Sequence, residues 1–222
     1  MYLLVCAGVV ALVLVALPFD ASTLLGDAVR TSVAAAIVAI AYGCAPLEND
    51  TVTWSRPSGG TTPVWLVIAM LLLYAAGMGA WDFVSVASEA ARQTVSAAAL
   101  FAMSCMMTGV FEECLFRGLM FEGFLVADRG SAPRLTIVQA AVAASVVFAA
   151  FHAFGSVGFP FVQWGMWGYG AKAVEALVFS LALCWLRTRG LSVWHLAVLH
   201  AVFDVLYFAP AFALGTFPLA AV

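Results

Sequence analysis

Two adjacent glutamates and an arginine lie in the apolar segment TGVFEECLFRG, residues 108–118. On a helix, Glu113 and Arg117 are four residues apart, the spacing at which an acid and a guanidinium pair on one face. Glu112 lies about 100° from Glu113 around the helix, and its neighbour at i+4 is Phe116, so it lacks a cationic partner. We therefore interpret Glu113 and Arg117 as structural, and Glu112 as a carboxylate that could take a proton from water as a general base.

Further ionisable groups follow in later apolar segments. His152 comes one helical turn after Phe148, which places an aromatic ring beside an imidazole. His200 and Asp204 are four residues apart and share a helix face, whereas His195 lies about 140° from His200 and is interpreted as interfacial. Ionisable groups at membrane depth cost at least roughly 2.5–3.5 kcal/mol each unless they are paired or hydrated. We expect the acids and imidazoles to meet in one wet cavity, although a polar cluster that only holds the bundle together explains them equally well.

The elements that must position these groups are long apolar segments. Hydrophobic residues make up 65% of the 222 residues, the mean hydropathy is +1.07 and 9% of residues are charged, so lipid is the expected solvent. Polar and Gly/Pro-rich stretches separate apolar segments near 1–19, 29–46, 63–80, 94–127, 135–154, 170–187 and 192–210. The sequence predicts an all-α, polytopic membrane bundle of about seven to eight transmembrane helices in a single domain, 1–222. Segment 94–127 fits either one long helix or a span followed by a shorter helix.

Charge and cysteine usage exclude other classes of protein. The net charge is −3 and no block of Lys or Arg could neutralise a phosphate backbone, so nucleic acid is not an expected partner. The five cysteines have no metal-type spacing and are interpreted as packing residues. Two loops that lie two spans apart carry the basic pairs Arg129/Arg134 and Arg187/Arg189. The positive-inside rule places both loops in the cytoplasm.

Three short motifs occur in order along the chain. EECLFR at 112–117 fits E-E-x-x-x-R, FAAFH at 148–152 fits F-x-x-x-H, and HAVFD at 200–204 fits H-x-x-x-(N/D). In order and spacing they resemble the CPBP family, which comprises type II CAAX prenyl proteases and bacteriocin-processing or immunity proteins, also described as glutamic-type intramembrane proteases. The resemblance covers about residues 94–210, which we expect to form the catalytic core.

The resemblance implies an intramembrane endopeptidase in which activated water attacks the scissile peptide bond and no metal or other cofactor takes part. Glu112 would be the general base and His152 its partner. The residues implied to support the site are Phe148, Glu113 and Arg117. That role for Glu113 and Arg117 agrees with their helical spacing.

The resemblance also implies that His200 and the residue four positions later face the oxyanion formed at the scissile carbonyl. The chain departs from the commonest family pattern here, because it has Asp204 in place of Asn. An ionised aspartate accepts hydrogen bonds and repels an oxyanion. We therefore expect Asp204 to orient His200 or to stabilise its cation, which leaves His200 as the main electrophile.

Two other functions fit the same residues. Glu112, His152 and His200 could ligate zinc with water in the open position, as in a metallopeptidase, although the chain has no H-E-x-x-H. A non-catalytic carrier or immunity-type binding protein could instead use the polar cluster to hold a ligand, although no inverted repeat is evident.

The expected partners are the lipid bilayer and a membrane-anchored protein or peptide that is cleaved near its C-terminus. A prenylated C-terminal peptide, a bacteriocin leader and the C-terminal sorting signal of a bacterial surface protein all fit the resemblance. Usage rich in Ala, Val and Arg with a single lysine, Lys172, favours a bacterium of high GC content. The sequence therefore predicts a protein of the bacterial inner (cytoplasmic) membrane, with a sorting signal as the favoured substrate.

Overall fold

The computed structural model describes residues 24–44, 62–86, 95–125, 135–155 and 166–213. Within these ranges the chain forms six helices and no strand: α1 Leu24–Cys44, α2 Thr62–Val86, α3 Val95–Leu125, α4 Ile137–Gly155, α5 Met166–Thr188 and α6 Val193–Ala213. The predicted all-α bundle is thus confirmed. The predicted first span, 1–19, lies outside the described residues, so the total of seven to eight helices stays a prediction.

Several helices have the length and composition of membrane spans. Three are long and apolar enough to cross a bilayer: Pro63–Ala80, Val95–Leu125 and Val193–Pro210. Two shorter apolar helices accompany them: Ala28–Cys44 and Ile137–Ala153. Helix α5 belongs to neither group and carries Lys172, Glu175 and Arg187. Large apolar side chains face outward, as in α2, where Trp65 is 65% and Leu73 is 73% exposed. An apolar surface of this kind suits lipid rather than water, and the protein is an integral membrane protein.

Helix α3 runs without a break from Val95 to Leu125, so the described part of segment 94–127 is one helix rather than two. Its hydrogen bonding changes along its length: Val95–Glu112 is α-helical, Glu113–Glu122 is π-helical and Gly123–Leu125 is α-helical again. A π-helix closes i→i+5 hydrogen bonds, which widens each turn and changes the direction of the side chains relative to an α-helix. The change begins between the two adjacent glutamates.

The π-helical part of α3 lies at the centre of the bundle. It contacts α1, α4, α5 and α6, and residues 111–119 are all buried. Its side chains Phe116 and Leu119 join Phe148 and Leu183 in the main apolar core. Because lipid tails are as apolar as these side chains, close van der Waals packing rather than escape from water holds the helices together.

Two glycines allow other helices to approach α3 closely. A Cβ atom at Gly109 would lie 2.5 Å from the carbonyl oxygen of Ala197 in α6, and a Cβ atom at Gly118 would lie 2.6 Å from the ring of Tyr42 in α1. Real Cβ atoms do not come this close to their neighbours, so small residues are needed at both contacts. The first contact brings α6 against α3 one turn before Glu113.

A buried ion pair joins the C-terminal ends of α3 and α5. Arg187 donates to Oε1 of Glu122 through Nε, at 2.7 Å, and through Nη2. It also donates through Nη1 to the carbonyl oxygen of Leu191, at 2.9 Å. The sequence assigned no role to Glu122. Separating the two side chains would leave a buried charge unpaired, which destabilises a fold strongly. The pair therefore holds the C-terminal end of α3 against α5.

Candidate active site

Glu112 lies between two imidazoles. Its Oε1 is 3.6 Å from Nε2 of His152, and its Oε2 is 3.7 Å from Nε2 of His200. Glu112 is 4% exposed, and its Oε2 is buried without a hydrogen-bond partner in the described part of the chain. These separations are too long for direct hydrogen bonds but suit a water molecule shared by the carboxylate and an imidazole nitrogen.

His152 is oriented by its own helix, α4. Its Nδ1 lies 2.9 Å from the carbonyl oxygen of Phe148, so Nδ1 donates and the neutral ring presents the lone pair of Nε2 toward Glu112. The rings of Phe148 and His152 lie 4.2 Å apart, which places the aromatic neighbour where the one-turn spacing predicted it. The His152 side chain is 23% exposed and is the most accessible of the central groups.

Glu113 has two partners on one oxygen. Its Oε1 accepts hydrogen bonds from Nη1 of Arg117 at 3.0 Å and from Nδ1 of His200 at 2.8 Å. The side chains of Glu113 and Arg117 are fully buried. The sequence predicted the bond to Arg117 from its local spacing. It gave no signal for the bond to His200, which lies 87 residues along the chain.

Phe148 connects the two parts of the cluster. The guanidinium carbon of Arg117 lies 4.6 Å from the centre of its ring, within the range of a cation–π contact. The same ring packs edge-on against Phe116 at 5.0 Å and lies against the imidazole of His152. The ring of Phe148 therefore packs against both Arg117 and His152 and restricts the orientation of each side chain.

His200 is oriented by the hydrogen bond that its Nδ1 donates to Glu113. Oδ1 of Asp204 lies 3.7 Å from Nε2 of His200, which is within electrostatic reach but longer than a hydrogen bond. Asp204 is 6% exposed and faces the same side of α6 as His200, as their spacing predicted. His195 lies elsewhere: it is exposed at the start of α6, with Nδ1 2.5 Å from Oγ of Ser192.

Glu112, Phe148, His152, His200 and Asp204 line one cleft. Apolar walls come from the aromatic residues Phe148, Phe179, Phe203 and Phe208. The cleft also has polar residues to which the sequence gave no part in the site: Thr108, Lys172, Glu175 and Tyr207. Lys172 and Glu175, three residues apart on α5, form an ion pair at 3.3 Å, and the sequence could not place this pair beside the motifs. The one feature of the sequence that could have drawn attention to Lys172 is that it is the single lysine among Lys and Arg residues that are otherwise all arginines.

The carboxylate of Glu112 and the imidazoles of His152 and His200 can carry out acid–base chemistry in the cleft. A carboxylate that has no cation bonded to it can take a proton from water, and a fixed imidazole can donate to a developing negative charge. Catalytic zinc needs three protein ligands with one open position. Among the described ranges, no group of three or more His, Cys, Asp or Glu side chains is arranged to hold a metal ion.

Comparison with known proteins gives one match. A family model described as type II CAAX prenyl endopeptidase Rce1-like matches residues 94–206, about half of the chain. This range contains the segments 112–117, 148–152 and 200–204, which line the cleft or support it. No curated protein and no solved structure matches the chain.

Proposed function

Because the chain belongs to the Rce1-like family of type II CAAX prenyl endopeptidases, we propose that it is a glutamic-type intramembrane protease that cleaves a membrane-anchored substrate near its C-terminus. Family membership by itself identifies a membrane endopeptidase. The glutamic mechanism is supported by one observation above all: the buried carboxylate of Glu112 lies 3.6 Å and 3.7 Å from two imidazoles contributed by two other helices. On this proposal residues 1–222 form one domain of a bacterial inner membrane, with a catalytic core over about 94–210.

In the proposed first step, Glu112 and His152 hold a water molecule between Oε1 and Nε2. Glu112 takes one proton from this water while the water oxygen forms a bond to the scissile carbonyl carbon. The lone pair of His152 Nε2 holds the second hydrogen of the water and sets its direction of attack. A tetrahedral intermediate with a negative oxygen results.

His200 is positioned to stabilise that negative oxygen. Its Nδ1 is bonded to Glu113, so its Nε2 faces the cleft, and a ring protonated on both nitrogens donates from Nε2 to the oxyanion. The carboxylates of Glu112, Glu113 and Asp204 stabilise this cation by Coulomb attraction. When the C–N bond breaks, the proton held by Glu112 passes to the leaving amine nitrogen, which restores the carboxylate.

Substitution of the two glutamates tests this division of roles. Glu112→Gln and His152→Ala should each lower cleavage of a membrane-bound substrate by roughly 10²–10⁴-fold, the usual contribution of general acid–base catalysis. Both variants should be expressed and should unfold at temperatures close to that of the wild type. Glu113→Ala should instead reduce the yield of folded protein, because it removes the partner of Arg117 and of His200. An equal loss of stability in all three variants would contradict the proposal.

The same assays separate the two alternative functions. A zinc peptidase loses activity under strong chelation, whereas the proposed mechanism keeps it. A carrier or immunity-type binding protein keeps its function when Glu112 is replaced by Gln, whereas the proposed protease loses it.

A further inference from the structure

A second polar cluster lies in the cleft, outside the three motifs. Oε1 of Glu175 accepts a hydrogen bond from the hydroxyl of Tyr74 at 3.1 Å. Oε2 of Glu175 lies 3.3 Å from Nζ of Lys172 and 3.5 Å from the hydroxyl of Tyr207. Nζ of Lys172 also lies 5.0 Å from the centre of the Tyr207 ring. The cluster joins α2, α5 and α6, and the mechanism above uses none of its members.

Lys172 is a cation held inside the cleft that contains Glu112 and His152. It is the only lysine in the chain, and its side chain is 19% exposed. An ammonium group has three donors. Glu175 occupies one of them at 3.3 Å, which is longer than the usual charge-assisted bond of about 2.7–2.9 Å. Lys172 can therefore accept a second anion without losing its position.

The carboxylate of Glu175 has hydrogen-bond donors other than Lys172. The two tyrosine hydroxyls donate to its two oxygens from α2 and α6. The carboxylate thus stays hydrogen-bonded when the ammonium group turns toward another ligand. This arrangement differs from an isolated ion pair, in which a competing anion would leave the acid buried and unpaired.

We propose that Lys172 binds the free C-terminal carboxylate of the peptide substrate, in competition with Glu175, which its two tyrosines hold in place. The inference rests on the proposed function and adds a residue that determines specificity. Lys172 lines the same cleft as Glu112, and an ammonium group there distinguishes a chain terminus, which carries a carboxylate, from the interior of a chain.

Binding of two matched peptides tests the inference. The probes are fluorescent, farnesylated peptides ending in Cys-Val-Ile-Met, one with a free carboxylate and one with a C-terminal amide, and the protein is the full chain in detergent carrying Glu112→Gln to prevent turnover. We expect the acid to bind about tenfold or more tightly than the amide, the usual value of a charge-assisted hydrogen bond. Adding Lys172→Met should abolish this preference, and adding Lys172→Arg should retain most of it. Adding Glu175→Gln should increase the preference, because a competing carboxylate is removed.

Several results would overturn the inference. They are equal binding of acid and amide, no binding of either peptide, and a preference for the acid that survives Lys172→Met. If Lys172→Met does not fold, Glu175→Gln decides, since an unchanged or weaker preference for the acid contradicts competition at Lys172. Failure of the proposed function would give a different result. The wild-type chain would leave both peptides uncut, while the Glu112→Gln protein would still bind the acid more tightly than the amide.

Discussion

The two adjacent glutamates, Glu112 and Glu113, differ in their hydrogen-bond partners. Oε1 of Glu113 is bonded to Arg117 and to His200, so its charge is matched within the protein. The oxygens of Glu112 instead lie 3.6 Å and 3.7 Å from imidazole nitrogens, too far for direct hydrogen bonds. A charge that is already matched contributes to the fold, whereas an unmatched one is available for proton transfer. This difference is the physical basis for assigning catalysis to the first glutamate.

The aspartate in the last motif leads to a prediction about a single side chain. Asp204→Asn should lower kcat by about tenfold, because it removes a carboxylate that stabilises the cation of His200. Asp204→Ala should lower kcat by about tenfold or more, because it removes a polar group 3.7 Å from His200. Steady-state kcat and KM of both variants provide the measurement. An unchanged or raised kcat in Asp204→Asn would contradict this role and would mean that a hydrogen-bond donor can replace the negative charge.

At the scale of elements, the π-helical part of α3 explains how both glutamates reach one histidine. In a regular α-helix they would point about 100° apart. In the structure, Oε2 of Glu112 lies 3.7 Å from Nε2 of His200 and Oε1 of Glu113 lies 2.8 Å from Nδ1 of the same ring. The transition from α to π geometry occurs between these two residues. Such segments are frequent at functional sites, because they re-aim side chains within a continuous helix.

The close contact of α3 with α6 leads to a prediction about helix spacing. Gly109→Val should lower kcat/KM by roughly 10²-fold, because its side chain would strike the backbone of α6 near Ala197 and move His200 away from Glu112. Gly77→Val in α2 is the matched control, since a Cβ atom at Gly77 meets nothing within 4 Å. Cleavage assays and thermal unfolding of both variants make the comparison. Equal activity of the two variants would mean that the approach of α6 does not set the geometry of the site.

At the scale of the whole molecule, the cleft lies toward one end of the bundle. His152 is close to the C-terminal end of α4, and Lys172 is close to the N-terminal end of α5. Arg187 lies at the other end of α5, about 22 Å from Lys172 along the helix axis at 1.5 Å per residue. Arg187 lies inside α5, paired with Glu122, rather than in a loop as the sequence predicted, so the positive-inside prediction of a cytoplasmic location for this end depends on Arg189 in the following turn. We therefore propose that the cleft opens on the opposite side of the membrane.

Cysteine labelling tests this orientation. Gly170→Cys, at an exposed position near the start of α5, should react with a membrane-impermeant maleimide in intact cells. Ser192→Cys, in the turn between α5 and α6, should react only after the cells are permeabilised. The parent chain measures the background from its five native cysteines. The reverse pattern of labelling would place the cleft on the cytoplasmic side.

The sequence alone determined the features that depend on neighbouring residues. Apolar length predicted helices near 29–46, 63–80, 135–154 and 192–210, and each lies within a few residues of an observed helix. The spacing of Glu113 and Arg117 predicted their ion pair, and three short motifs indicated the family. These predictions succeed because hydropathy, i,i+4 spacing and motif order can be read along the chain without knowing how the helices pack.

Only the tertiary structure decided which groups meet across helices. The bond from His200 to Glu113 and the π-helical turn beside Glu112 have no local pattern in the sequence. The same holds for the position of Lys172 and Glu175 in the cleft, because an i,i+3 pair looks alike on a lipid-facing surface and in an active site. Apolar helices of this kind can pack in many rotations about their axes, and contacts such as that of Gly109 with α6 select one of them. That selection, which no single helix encodes, determines where the charges lie.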